Sequence, residues 1–273
     1  MPTCRLPNAD LFYAERGQGQ PLIFLHGLGG DHLYWLGQLR AFSKHYHCFA
    51  LDCRDVGQSS EATEPYTIFN LAADIAAFVR QLSLPPVHVI GLSMGGMIAQ
   101  ELALANPELV QSLVLVSTLA RSDEWFQATL QAFELIRLQV PDTAAFFEAV
   151  LPWWVSYQFF LDSGRSSWLR WLLRQNPEVQ SQAGFLRQLK AARQHDALAR
   201  LSGIRCPVMI LVGEDDTIAP RRYSLELAEQ IRQAQLITVP GVGHALPIEN
   251  PGQFNALLRE FLAGLNALRR RSA

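Results

Sequence analysis

The chain has 273 residues, 49% of them hydrophobic and 18% charged, with a formal net charge of −2. That length holds one large α/β domain with room for an inserted subdomain, and the near-neutral charge offers no electrostatic footprint for nucleic acid. No run of about 18 apolar residues spans a membrane, and the first ten residues lack the apolar core of a signal peptide.

In chain order, Leu11-Phe12-Tyr13-Ala14-Glu15 and Pro21-Leu22-Ile23-Phe24-Leu25 read as short strands separated by the turn Gly17-Gln18-Gly19-Gln20. Residues 31–43 carry Leu33, Leu36, Leu39 and Phe42 at helical spacing, and His47-Cys48-Phe49-Ala50-Leu51 is a buried strand. Cys48 and Cys53 lie an odd number of positions apart and should face opposite sides. Residues 70–82 form an amphipathic helix with Leu71, Ile75, Phe78, Val79 and Leu82 on one face. Val87-His88-Val89-Ile90 is a strand that runs into a helix ending near 105, and 112–116 is the next strand. Strands follow at 208–212 and 235–239, with a helix near 223–232 between them and a last helix over 254–268. Arg269-Arg270-Arg271 reads as a solvated helix end.

Strands that are apolar throughout, alternating with helices, predict a mostly parallel central sheet covered by helices on both faces. Residues 1–118 and 202–273 make that core. Residues 119–201 show helical patterns and no convincing strand, and hold 13 of the 27 aromatic residues and five of the six tryptophans. Most of these aromatics are expected to form the small core of a helical lid, with a minority lining an apolar substrate pocket. The four cysteines have no metal-like spacing, so a reduced, cytoplasmic chain is the simplest expectation.

The chemistry centres on Gly91-Leu92-Ser93-Met94-Gly95-Gly96, set between a β-branched run and a helix. A Gly-x-Ser-x-Gly in that context is a nucleophile elbow: the serine sits on a tight turn, and the helix aims its positive end at the hydroxyl. A serine hydroxyl needs a base, and the base an orienting acid. Of seven histidines, His244 follows the last strand in a glycine-flanked loop, on the sheet edge that also carries the elbow. His26 lies in His26-Gly27-Leu28-Gly29-Gly30, where backbone amides are more useful than an imidazole, and His88 lies within a strand as a packed residue. Surface or structural roles suffice for His32, His45, His47 and His195. The acid should also leave a strand end, and Glu214-Asp215-Asp216 offers three carboxylates. Asp216 is the favoured one and Asp123 the reserve.

With the order Ser93, Asp216, His244, the chain resembles the α/β-hydrolase superfamily over almost its whole length. The matching pieces are the His26-Gly27 loop, Asp52-x-Arg54-x-x-Gly57-x-Ser59, the elbow, Gly213…Asp216…Pro220 and Gly243-His244…Glu249-Asn250-Pro251. The resemblance implies Asp216 as the acid, three residues after Gly213, and an oxyanion hole made by the backbone amides of Leu28 and Met94. Many relatives have Arg-Gly where this chain has Arg54-Asp55, so the local turn is open to difference.

A serine at 93 argues against the branches of this fold that use an aspartate nucleophile. The elbow and length look like small carboxylesterases and 3-oxoadipate enol-lactonases. The aromatic lid favours an apolar or neutral ester. An anionic lactone would want one of Arg137, Arg165, Arg170, Arg174 or Arg187 pointing inward, which spacing alone does not settle. The expected activity is carboxylic-ester hydrolysis without a cofactor or metal, with lactone hydrolysis next. Carbon–carbon hydrolysis, perhydrolysis and a hydroxynitrile lyase are more distant, and a non-catalytic receptor is disfavoured because all three catalytic positions are filled.

Overall fold

Ile23 and Leu25 pack into one hydrophobic cluster, while Leu22 and Phe24, alternate residues of the same strand, pack into another. Such a strand must be covered on both sides, because successive side chains point to opposite faces. A computed structural model describes residues 2–175 and 180–272. In chain order its elements are β1 (Thr3–Arg5), β2 (Asp10–Arg16), β3 (Gln20–Leu25), α1 (Leu36–Phe42), β4 (Tyr46–Leu51), α2 (Ile68–Gln81), β5 (Val87–Leu92), α3 (Met94–Ala105) and β6 (Val110–Val116). There follow α4 (Glu124–Gln139), α5 (Thr143–Trp154), α6 (Tyr157–Leu161), α7 (Ser163–Gln175), α8 (Gln182–Arg193), β7 (Val208–Gly213), α9 (Arg221–Gln230), β8 (Gln235–Val239), α10 (Leu246–Glu249) and α11 (Pro251–Ser272).

The eight strands form one sheet in the order β1-β2-β4-β3-β5-β6-β7-β8. β2 runs antiparallel to both β1 and β4, and every other pairing is parallel. Helices α2, α3 and α9 cover one face through residues such as Ile75, Phe78, Ile98 and Leu227. The other face is covered by Trp35, Leu39 and Phe42 around α1 and by Phe254, Leu258 and Leu262 of α11. This is the α/β-hydrolase architecture.

The structure amends several sequence expectations. β1 was not anticipated, since three residues with one buried side chain carry no readable period. The helix expected over 31–43 is a 3₁₀ turn, His32–Trp35, followed by α1, because the Asp31 side chain caps Leu33 N at 2.8 Å and starts a separate tighter turn. Cys53 lies beyond the end of β4, yet it and Cys48 do fall into opposite clusters, and all four cysteines are unpaired. α11 starts at Pro251, a residue suited to a first helical turn. The side chains of Arg269, Arg270 and Arg271 lie outside the described residues. Among the described residues, no helix is long and apolar enough to cross a membrane.

Helices α4 to α8 are inserted between β6 and β7 at the carboxyl edge of the sheet. Asp123, Asp142, Ser156 and Ser181 each accept a backbone N–H at the start of α4, α5, α6 and α8. Such caps contribute about 1 kcal/mol each and mark where each helix begins. Most of the buried aromatics of the insertion do not form a core of their own. Phe126, Phe133, Phe146 and Phe185 continue the sheet-side cluster, because α4, α5 and α8 turn their apolar faces down onto it. Leu151, Val155, Phe159 and Leu169, with Ala245, make a separate small cluster among the described residues. Trp125, Trp153, Trp168 and Trp171 are exposed, while most of the insertion's other aromatics are buried or packed against a cluster.

Candidate active site

Parallel pairing places the loops after β3, β5, β7 and β8 along one edge, with Leu25 opposite Gly91 and Gly213 opposite Val239. Ser93 is the residue after β5 and takes φ 53°, ψ −117°. A non-glycine residue pays about 1–3 kcal/mol for a sparsely populated conformation of this kind, so the surroundings must hold it. They do: Ser93 N donates to Val116 O at 2.9 Å, and Thr118 Oγ1 donates to Ser93 O at 2.7 Å. The close approach of α3 needs glycine. A Cβ at Gly91 would stand 2.2 Å from Gly95 O, and one at Gly95 2.4 Å from Leu25 O.

The loop after β3 passes directly beside the serine: a Cβ on Gly27 would lie 3.2 Å from Ser93 Cβ. Gly30 N donates to Gly27 O at 3.1 Å, closing a turn around Leu28 and Gly29. Among the described residues, the amides of Leu28 and Met94 donate no hydrogen bond, and both residues line the cavity that Ser93 faces. Two free N–H groups beside a strained serine can receive a developing oxyanion.

His244 is buried in the loop after β8. Its Nδ1 lies 2.9 Å from Asp216 Oδ2 and 3.0 Å from Oδ1, while Asp216 Oδ1 also accepts from Ile218 N at 3.0 Å and Ala219 N at 2.8 Å. A carboxylate held by two amides fixes the ring with Nδ1 as donor and leaves Nε2 for the cavity, which His244 lines together with Ser93. Glu214 and Asp215 are exposed. Asp123 is elsewhere, capping α4 and bound to Tyr223 and Arg222.

His26, His32 and His88 have separate partners. His26 is fully buried, with Nδ1 donating to Gly27 O at 2.8 Å and Nε2 accepting from Cys53 N at 3.0 Å. Burial lowers its pKa, which keeps it neutral for that arrangement. His32 Nδ1 is 2.9 Å from the buried Asp52, and His88 Nδ1 is 2.7 Å from Ser112 Oγ. His195 is buried 3.7 Å from Glu101, and burial drives its pKa down to about 4.

The cavity has a volume of about 460 Å³, within the range of small-molecule sites. Phe126 and Phe133 of α4, Phe146 and Trp154 of α5, Leu169 of α7 and Phe185 of α8 roof it. Its titratable lining among the described residues is Asp31, Tyr34 and His244. Burial raises the Tyr34 pKa, and Glu249 and Asp216 raise it further, so the phenol stays protonated. None of the five arginines in question lines it. Arg137 donates to the carbonyls of Val140, Pro141 and Gln180, and Arg165 to that of Glu249. Arg170 and Arg174 share Glu148, and Arg187 forks onto Asp55.

Two buried residues have roles that the sequence alone does not indicate. Glu249 accepts from Gly243 N and Ser156 N, both at 2.9 Å, and so ties the His244 loop to the insertion. Gln188 sits in the buried stripe of α8 between Phe185 and Ala192, and a polar side chain on an apolar face is the signal that would have singled it out. The Arg54-Asp55 departure leaves the turn in place: Asp55 adopts φ 70°, the left-handed region that glycine favours and aspartate tolerates.

A family model described as alpha/beta hydrolase fold matches residues 20–151. A Mycobacterium tuberculosis protein provisionally named non-heme bromoperoxidase BpoC is 30% identical over 267 residues, covering 94% of this chain and 99% of that one. Its crystal structure superposes with a TM-score of 0.85 over 93% of this chain and 96% of that one. A thermophilic esterase from Thermogutta terrifontis gives a TM-score of 0.83 at 25% identity, covering 96% and 97% of the two chains. The enol-lactonase from Burkholderia xenovorans LB400 gives 0.87 at 24% identity, covering 96% and 100%, a likeness of fold. With a relative this similar over nearly its whole length and the same architecture throughout, the chain belongs to the α/β-hydrolase family.

Proposed function

We propose that the protein is a serine hydrolase that cleaves carboxylic esters of neutral, apolar substrates. The observation that carries this reading is the His244–Asp216 pair at the wall of a cavity that Ser93 shares and whose lining is mostly apolar, with phenylalanine and leucine the commonest large side chains. Ser93 Oγ attacks the ester carbonyl as His244 Nε2 takes its proton, and the carbonyl oxygen becomes an oxyanion held by the amides of Leu28 and Met94. His244 then protonates the leaving alcohol, and water repeats the path on the acyl-enzyme. Asp216 keeps the ring in one tautomer and stabilises its cationic form. The four unpaired cysteines suit a reducing, cytoplasmic setting.

A lactone is a cyclic ester, so the same residues would open one. The arginines committed to carbonyls and carboxylates favour a neutral lactone over an anionic one. The relative named as a bromoperoxidase points to one more outcome of the same acyl-enzyme, attack by hydrogen peroxide in place of water.

The test is steady-state hydrolysis of p-nitrophenyl esters from acetate to laurate beside neutral γ- and δ-lactones, with Ser93→Ala as control. An optimum among the linear esters, absent in the control, supports the esterase reading. Lactones turned over far faster would move it to lactonase, and full activity in Ser93→Ala would end it.

A further inference from the structure

Two consecutive side chains of α8 grip the loops beneath the insertion. Gln188 is 0% exposed; its Oε1 accepts from Gly29 N at 3.3 Å and its Nε2 donates to Arg54 O at 3.1 Å. Arg187, beside it, forks onto Asp55 at 2.8 and 2.9 Å. A buried amide side chain is costly unless both its ends are bonded, and here one end is satisfied by each loop.

Gly29 is in the turn that presents Leu28. Its φ is +73°, and a Cβ there would come 3.0 Å from Phe147 and 3.2 Å from Phe185, so the insertion's rings press directly on the turn. Of the two amides at the tip of that turn, Gly29 N is taken by Gln188 and Leu28 N donates to nothing among the described residues. Leu28 N–H lies in the Gly27–Leu28 peptide, which Gly30 N and His26 Nδ1 hold through Gly27 O; bonding to Gln188 fixes the following peptide, Leu28–Gly29, so that Leu28 is clamped from both sides.

We infer that Gln188 is a positioning residue for the oxyanion hole, so that α8 is a working part of the site and not only a cover over the cavity. This inference rests on the serine-hydrolase reading. A donor stabilises an oxyanion only if it is already aimed where the charge develops. Without Gln188, the turn keeps its Gly30–Gly27 bond but loses the restraint on the peptide beside Leu28.

Gln188→Met keeps the length and volume of the side chain and removes both bonds. It is compared with wild type by the rate at which an alkyl fluorophosphonate labels Ser93, a reaction independent of the natural substrate. Kinetics on p-nitrophenyl butyrate and the thermal midpoint are measured alongside. The expected result is labelling and kcat slower by about 10- to 100-fold with KM little changed. The comparator is the double variant Asp55→Gly, Arg187→Met, which removes the Arg187 fork onto the neighbouring loop and leaves the Leu28 turn and both Gln188 bonds in place. It should lower the thermal midpoint and keep labelling within about threefold of wild type. Wild-type labelling in Gln188→Met, or an equal loss in the comparator, would overturn the inference while the serine-hydrolase reading stands. A wild-type protein that is never labelled at Ser93 would remove both.

Discussion

On the sheet side of the cavity, Ser93, Asp216 and His244 each follow a strand end within a few residues, and backbone register sets where they stand. On the insertion side, Phe126, Phe146, Trp154 and Phe185 come from three different helices, and only side-chain packing sets their positions. The first kind of wall tolerates almost no change, since a methyl group on Gly91 or Gly95 would collide with backbone. The second can exchange one large apolar residue for another at modest cost. Chemistry is therefore expected to reside in the sheet edge and substrate choice in the helices, and Gln188 joins the two.

The sharpest way to break this division is at the sheet edge. Ser93→Ala and His244→Ala should each abolish ester hydrolysis with the fold intact, judged by turnover and circular dichroism of the purified variants. Asp216→Asn should cost several orders of magnitude in kcat, about 10⁴-fold for the equivalent change in a serine protease. Asp123→Asn should leave turnover nearly unchanged; asparagine still caps α4, so the loss is the ion pair with Arg222, at most about 1 kcal/mol in a denaturant titration. A larger loss of turnover at Asp123 than at Asp216 would assign the acid wrongly.

A pair of phenylalanines separates packing from selectivity. Phe24→Ala, in the fully buried sheet core, should destabilise by about 3–5 kcal/mol without altering the order of preferred esters. Phe147→Ala, on the cavity wall and only partly buried, should cost less stability and shift the optimum toward longer acyl chains. Chain-length profiles that are superimposable for Phe147→Ala and wild type would place selectivity elsewhere.

Away from the cavity, His195 contributes a pH term. Its folded pKa of about 4, lowered by burial, lies below the ordinary imidazole value of about 6.5. The unfolded chain binds the extra proton between those values, so this stabilisation is complete above about pH 6.5 and is lost as pH falls toward 4. Between pH 7 and pH 5 wild type should lose on the order of 2 kcal/mol more than His195→Met, measured by urea unfolding at the two pH values. Equal losses would show that His195 titrates normally.

The same contrast explains what could be read from the chain alone. Continuous apolar strands, an elbow bounded by strand and helix, and a glycine-flanked histidine after the last strand are local patterns that the register of a parallel sheet converts into position. The insertion offered only helical periodicity, which identifies a buried stripe but not what the stripe faces. Periodicity therefore does not show that its phenylalanines share the sheet-side core, nor which carbonyls and carboxylates hold its arginines. Glu249 and Gln188 act through bonds that span 93 and 159 positions, a separation no local pattern encodes.

The central claim is that Ser93 carries the acyl group. Rapid acid quench of the wild-type protein with p-nitrophenyl butyrate, followed by peptide mass spectrometry, tests it most directly. The account predicts a butyryl adduct on the peptide containing Ser93, absent in Ser93→Ala. Steady turnover with the adduct on another residue, or at undiminished rate in Ser93→Ala, would contradict it.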